Sequence, residues 1–225
     1  MENNLSIAGK RELILETMAG AAKRAGRSDM PKLIAVSKVQ PEARVREMLE
    51  TGQRIFGENR VQEAQQRWGE TFKTQRKDLE LRLIGPLQRN KAQDACALFD
   101  VIETLDREKL LKALLAGAEK TGRLPKLLVQ VNTGEEPQKS GVTPAELPAF
   151  LKHIKDEYDA VPAGLMCIPP QGEAASPHFW LLKKLAARHE LAELSMGMSG
   201  DFETAIQMSA SHVRVGSALF GAREK

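Results

Sequence analysis

Short runs of apolar and β-branched residues recur along the chain at residues 33–38, 54–58, 81–85, 101–105, 127–132, 164–168, 193–197 and 212–217. Between them, residues 41–50, 60–71, 107–120, 144–155 and 177–190 place apolar side chains at helical spacing. Strands that alternate with helices predict right-handed crossovers and a parallel sheet. Eight such units predict a closed (β/α)8 TIM barrel, an α/β fold, built as a single domain over residues 1–225. An open doubly wound sheet is the alternative, but no G-x-G-x-x-G follows the first strand to admit a pyrophosphate. An additional helix over about residues 7–24 precedes the first strand and reads as a plug or cover for the barrel's lower end. In a barrel the chemistry sits on the loops that follow the strands, so residues ending each run are the candidates.

Composition narrows the possibilities without naming a partner. With 42% hydrophobic and 28% charged residues the chain is an ordinary globular protein, not a disordered or fibrous one. Thirty-three Lys+Arg against 30 Asp+Glu leave a net charge of +3 with both signs scattered, which gives no footprint for nucleic acid or an anionic membrane. Cys96 and Cys167 form no metal-binding pair, and His153, His178, His189 and His212 never fall three or four residues apart, so no metal is expected. Lys10, Arg11, Glu12 and Glu16 interrupt the first apolar stretch, where a secretory signal would tolerate no charge. No run of eighteen apolar residues follows, and a monomeric cytoplasmic protein with reduced thiols is expected.

Lys38 ends the first run, Ala35-Val36-Ser37-Lys38, and brings an amine to the carboxyl end of the sheet. Burial disfavours an ammonium, and the neutral amine can condense with an aldehyde or ketone. A lysine reaching to solvent is the plain alternative. The seventh run leads into Ser195-Met196-Gly197-Met198-Ser199-Gly200-Asp201, where the Ser199 hydroxyl and the N–H groups from Ser199 to Asp201 could converge on an anion. The eighth gives Val213-Arg214-Val215-Gly216-Ser217. Taken singly, Ser199 could cap a helix and Gly216 ease a turn. Taken together, beside Lys38 in a closed barrel, the last two loops point to a phosphate.

In order along the chain, Ile34 to Lys38, Phe56 to Glu63, Ile84 to Lys91, Val131 to Gly134 with Lys139 to Gly141, Gly164 to Met166, Leu194 to Ser199 and Val213 to Arg223 resemble the pyridoxal-phosphate homeostasis protein family, the YggS/PROSC group. The resemblance implies a barrel similar to the amino-terminal domain of alanine racemase, of the fold-type III kind. It implies pyridoxal 5′-phosphate (PLP) held as an aldimine on Lys38. Ser199, Gly200, Gly216 and Ser217 then match the phosphate-binding loops, Arg214 the arginine at the pyridine nitrogen, and Asn59 a Glu-Asn motif beside the cofactor. Arg82 stands where the family pattern has histidine.

A guanidinium only donates hydrogen bonds, so it would keep the pyridine nitrogen unprotonated and weaken the ring as an electron sink. Racemisation would also need a second acid/base on the opposite face. The single tyrosine, Tyr158, should lie at the barrel's amino-terminal end. The expected role is therefore sequestration of PLP and its delivery to apo-enzymes. A PLP-dependent amino-acid racemase and a Schiff-base aldolase acting on a sugar phosphate are the rivals. Lys139, in the loop after the fifth strand, reads as a solvated lysine or a second docking amine, and Trp68 and Trp180 as packing against the barrel wall.

Overall fold

The computed structural model describes residues 5–221; Ala222 and Arg223 of the last quoted segment lie outside them. Strands β1 (Lys32–Val36), β2 (Ile55–Glu58), β3 (Glu80–Leu83), β4 (Val101–Leu105), β5 (Lys126–Gln130), β6 (Gly164–Met166), β7 (Glu193–Ser195) and β8 (His212–Val215) pair in parallel in chain order, and β8 returns to β1 to close the barrel. The closing seam sets Leu33 against Val213, Ile34 against Arg214 and Ala35 against Val215. Six of the expected runs extend two residues past the observed strands, because those residues leave the ladder for the loops at the carboxyl mouth.

The outer layer contains α2 (Glu42–Glu50), α3 (Val61–Ala64), α4 (Lys73–Arg76), α5 (Ala92–Leu98), α6 (Glu108–Thr121), α7 (Leu147–Tyr158), α8 (Ala175–Arg188), α9 (Phe202–Gln207) and α10 (Ser217–Phe220). The single helix expected over 60–71 divides: after α3 the chain widens into a π-helix, Gln65–Thr71. The first helix, α1 (Ile7–Arg24), is not a plug. It packs against α2, α9 and α10 and buries Ile7, Ile14, Met18, Ala21 and Ala22. The four-residue α10 cannot cover the β8–β1 seam by itself, and α1 completes the helical ring there. Arg27 pins the turn beyond α1 by donating to the carbonyls of Ile206 (3.0 Å) and Ala210 (2.8 Å).

Alternation along the strands divides the buried side chains into two sets. Leu33, Ala35, Phe56, Leu81, Leu83, Leu127, Val129, Leu165, Leu194, Val213 and Val215 belong to one apolar cluster shared with the helices. The opposite positions face the lumen, and several are charged. Arg82 on β3 bonds Glu193 on β7 at 2.9 Å, and Ser195 on β7 bonds Glu103 on β4 at 2.6 Å, contacts between distant strands that only the lumen permits. Trp68 is fully buried as expected, whereas Trp180 is half exposed on α8 with Lys184 over its ring, a surface contact in place of wall packing.

Glycine is required where β2 and β3 deliver their loops. A Cβ on Gly85 would stand 2.3 Å from the carbonyl oxygen of Asn59, a backbone atom that cannot turn aside. Gly85→Ala should therefore displace the Asn59 backbone and cost about 1–3 kcal/mol of stability, read by denaturant unfolding; an unchanged midpoint would count against this close approach.

His212, at the start of β8, lies in the lower lumen with Nδ1 2.9 Å from Ser211 Oγ. Burial first, then the nearby Arg82 charge, push its pKa down from 6.5 to about 3. The unfolded chain thus takes up this proton before the folded one does, so His212 makes stability fall as pH drops from about 6.5 toward about 3. Unfolding measured at several pH values in that window should give a shallower acid loss for His212→Gln than for wild type. Equal slopes would mean that His212 stays solvated.

Candidate functional site

The seven residues singled out from the sequence, Lys38, Asn59, Ser199, Gly200, Arg214, Gly216 and Ser217, all line one cavity of about 300 Å³ at the carboxyl mouth. Val36, Ile84, Ile168 and Met198 supply its apolar walls. The volume is at the lower end of the roughly 300–1,000 Å³ common for small-molecule sites.

Lys38 is not the end of β1 but sits two residues beyond it, in a tight turn. Gln40 N–H donates to the Ser37 carbonyl at 3.1 Å, and Val39 takes φ 60°, a strained value for a β-branched residue. The turn is held from behind. Ser37 Oγ and Trp68 Nε1 donate to Glu58 Oε1 at 2.7 and 3.1 Å, Arg67 Nε pairs with the same oxygen at 3.2 Å, and Arg67 Nη2 donates to the Gln40 carbonyl at 2.9 Å. Arg67 and Trp68 both turn inward from the π-helical segment, a geometry often found at functional sites. Burial raises the Glu58 pKa against the opposing pull of Arg67, Ser37 and Trp68.

Arg214 enters from β8 with its guanidinium fixed at two points: Nη1 donates to Ser195 Oγ and Nη2 to the Cys167 carbonyl, each at 2.8 Å. Cys167 lies just past β6, and burial pushes its thiol up to about 12, which leaves it an unreactive neutral neighbour. The last two loops meet where Gly216 N–H donates to Ser199 Oγ at 3.4 Å. The expected convergence of N–H groups reaches only part of the loop. Asp201, not Ser199, precedes α9; its N–H is spent on the Met198 carbonyl at 3.0 Å, and its Oδ1 accepts the Met198 N–H at 2.5 Å. Gly200 faces open space, since a Cβ there would meet nothing within 4 Å.

Lys139 pairs with Glu136 at 2.5 Å and borders a second hollow of about 890 Å³, which shares Ile168, Met198 and Gly200 with the Lys38 pocket. Tyr158 donates its hydroxyl to Glu108 in the seam between α6 and α7, outside the barrel instead of beneath it. Behind the pocket, Arg67 at the Lys38 turn and Glu103 below Arg214 were not picked out in the sequence, and Glu58 and Ser195 stood there only inside longer motifs with no role of their own. A signal did exist for Glu103, a carboxylate in the middle of the otherwise uncharged strand Val101–Leu105.

Comparison with known proteins bears on the family and the fold. The family model described as alanine racemase, N-terminal domain, matches residues 15–224. The chain is 35% identical over 231 residues to a pyridoxal phosphate homeostasis protein of Haemophilus influenzae, covering 97% of each chain. It is 41% identical over 212 residues to one of Pseudomonas aeruginosa, covering 91% of this chain and 90% of the relative. Among solved structures it is similar to PipY of Synechococcus elongatus PCC7942 with PLP bound, at TM-score 0.81 and 36% identity, covering 96% of this chain and 100% of that one. An alanine racemase from Clostridium difficile 630 shares the fold at TM-score 0.67 and 14% identity, covering 94% of this chain and 57% of that one. By sequence and by fold, the chain belongs to the alanine racemase N-terminal domain family and, within it, to the pyridoxal phosphate homeostasis proteins.

Proposed function

We propose that this protein binds PLP in the Lys38 pocket, attaches it covalently through Lys38 Nζ, and holds it for release to apo-enzymes without a dedicated reaction of its own. The observation that carries this reading is the meeting of one amine, one arginine and two glycine-serine loops in a single cavity of about 300 Å³. When bound, PLP supplies an aldehyde able to condense with a primary amine, and Lys38 offers that amine. Ser199, Gly200, Gly216 and Ser217 would hold the phosphate. Arg214 places a permanent positive charge in the same pocket. Val36, Ile84, Ile168 and Met198 would exclude water from the faces of a flat ring.

Carriage is favoured over turnover by what surrounds the pocket. Arg214 can only donate to a ring nitrogen, which keeps that nitrogen unprotonated and the ring a poor electron sink. Racemisation would require a proton donor on the face opposite Lys38. The hydroxyl of the chain's single tyrosine is engaged with Glu108 outside the barrel.

Purified protein mixed with PLP should gain a visible absorbance that borohydride abolishes, with pyridoxyl mass on the peptide containing Lys38. Lys38→Ala should take no label. Mass found on Lys139 or another lysine would overturn the assignment, and a protein that never gains absorbance would favour an aldolase acting on another carbonyl compound.

A further inference from the structure

A chain of polar groups runs through the lumen from the floor of the pocket toward the opposite mouth. Arg214 Nη1 donates to Ser195 Oγ at 2.8 Å, and Ser195 Oγ donates to Glu103 Oε2 at 2.6 Å. Glu103 Oε1 stands 3.2 Å from Arg82 Nε, Arg82 Nη2 donates to Glu193 Oε2 at 2.9 Å, and Glu193 Oε1 accepts from Lys126 Nζ at 2.7 Å. Glu103, Ser195 and Arg82 are 0% exposed and Arg214 is 4% exposed, whereas half of the Lys126 side chain meets solvent at the far mouth.

Such a lumen is costly to build. Branched aliphatic side chains ordinarily fill a barrel of this kind, and a buried ion pair seldom stabilises as much as apolar packing of equal volume. Arg82 Nε and Nη1 and Glu103 Oε1 have no hydrogen-bond partner among the described residues, so Arg82 and Glu103 meet as an ion pair alone and the network is not optimised for satisfaction. Its geometry suits a different end. A serine hydroxyl has one proton; by giving it to Glu103, Ser195 must present a lone pair to Arg214. Together with the Cys167 carbonyl, this fixes the plane of the guanidinium at two points, one on β7 and one just past β6. Glu103 also lies between two buried guanidiniums, Arg82 on one side and Arg214 at 3.9 Å on the other, and screens each from the other.

We propose that Glu103, acting through the Ser195 hydroxyl, is the positioning residue of Arg214, with Arg82 holding the carboxylate from below. What Arg214 is positioned toward rests on the cofactor reading above; that it is held in this way does not.

The test uses the whole protein without ligand, then with PLP. In wild type, nitrogen-15 NMR should show slowly rotating Arg214 Nη groups, assigned by their loss in Arg214→Lys. Ser195→Ala, which keeps every charge, and Glu103→Gln, which removes one, should each broaden or erase those signals. Each should weaken PLP retention on the order of tenfold, the share expected of one charge-assisted hydrogen bond. Should Glu103→Gln fail to fold, Ser195→Ala decides alone. Unchanged Arg214 signals and unchanged PLP retention in Ser195→Ala would overturn the proposal. If wild type shows the ordered arginine but takes no pyridoxyl label on Lys38, the cofactor reading falls while the positioning role stands.

Discussion

The backbone pairing of β8 with β1 is the constraint from which the site follows. It sets Ile34 beside Arg214 and Ala35 beside Val215, and so brings the Lys38 turn against Gly216 and Ser217. No local interaction could unite residues so far apart in sequence; ring closure does it once and fixes the register. The neighbouring pairing of β7 with β8 then brings in Ser199, whose hydroxyl accepts from Gly216. The meeting of the amine, the arginine and the glycine-serine loops is thus a consequence of one closed hydrogen-bond ladder.

Two kinds of interior share this ladder. Outside it, aliphatic and aromatic side chains seal the helices to the sheet and supply the apolar burial that stabilises the fold. Inside it, Arg82, Glu103, Glu193, Ser195 and Arg214 form a directional network with little to contribute to net stability. The same strands therefore serve packing on one face and orientation on the other. Behind Lys38 the division recurs on a smaller scale, where Glu58 and Arg67 hold a turn strained at Val39.

Much of this could be read from the chain itself. Apolar periodicity gave the eight strands and their order, and reading residues at strand ends found Lys38, Arg214 and the glycine-serine loops that the fold gathers into one pocket. The expected strands overran because residues such as Ser37 and Lys38 continue an apolar pattern while already turning out of the ladder. The place of α1 was misread because an amphipathic helix does not announce which gap it fills; the shortness of α10 creates that gap. Glu103 escaped, and Arg82 stood out only as a departure from the family pattern, because their partners lie across the lumen, on strands separated from them in sequence. A charge in the middle of an otherwise uncharged run was a trace, and it appears in the expected run at residues 81–85, in Val101–Leu105 and in His212–Val215.

The position of α1 bears on how the molecule comes into being. This helix lies against α9 and α10, elements that emerge from the ribosome only after seven strands have been made. Until then β1 has an open edge, α1 lacks two of its neighbours, and Lys38 is an ordinary amine with no cradle beside it. A half-synthesised chain thus lacks this pocket altogether, and the pocket arises together with the completed ring.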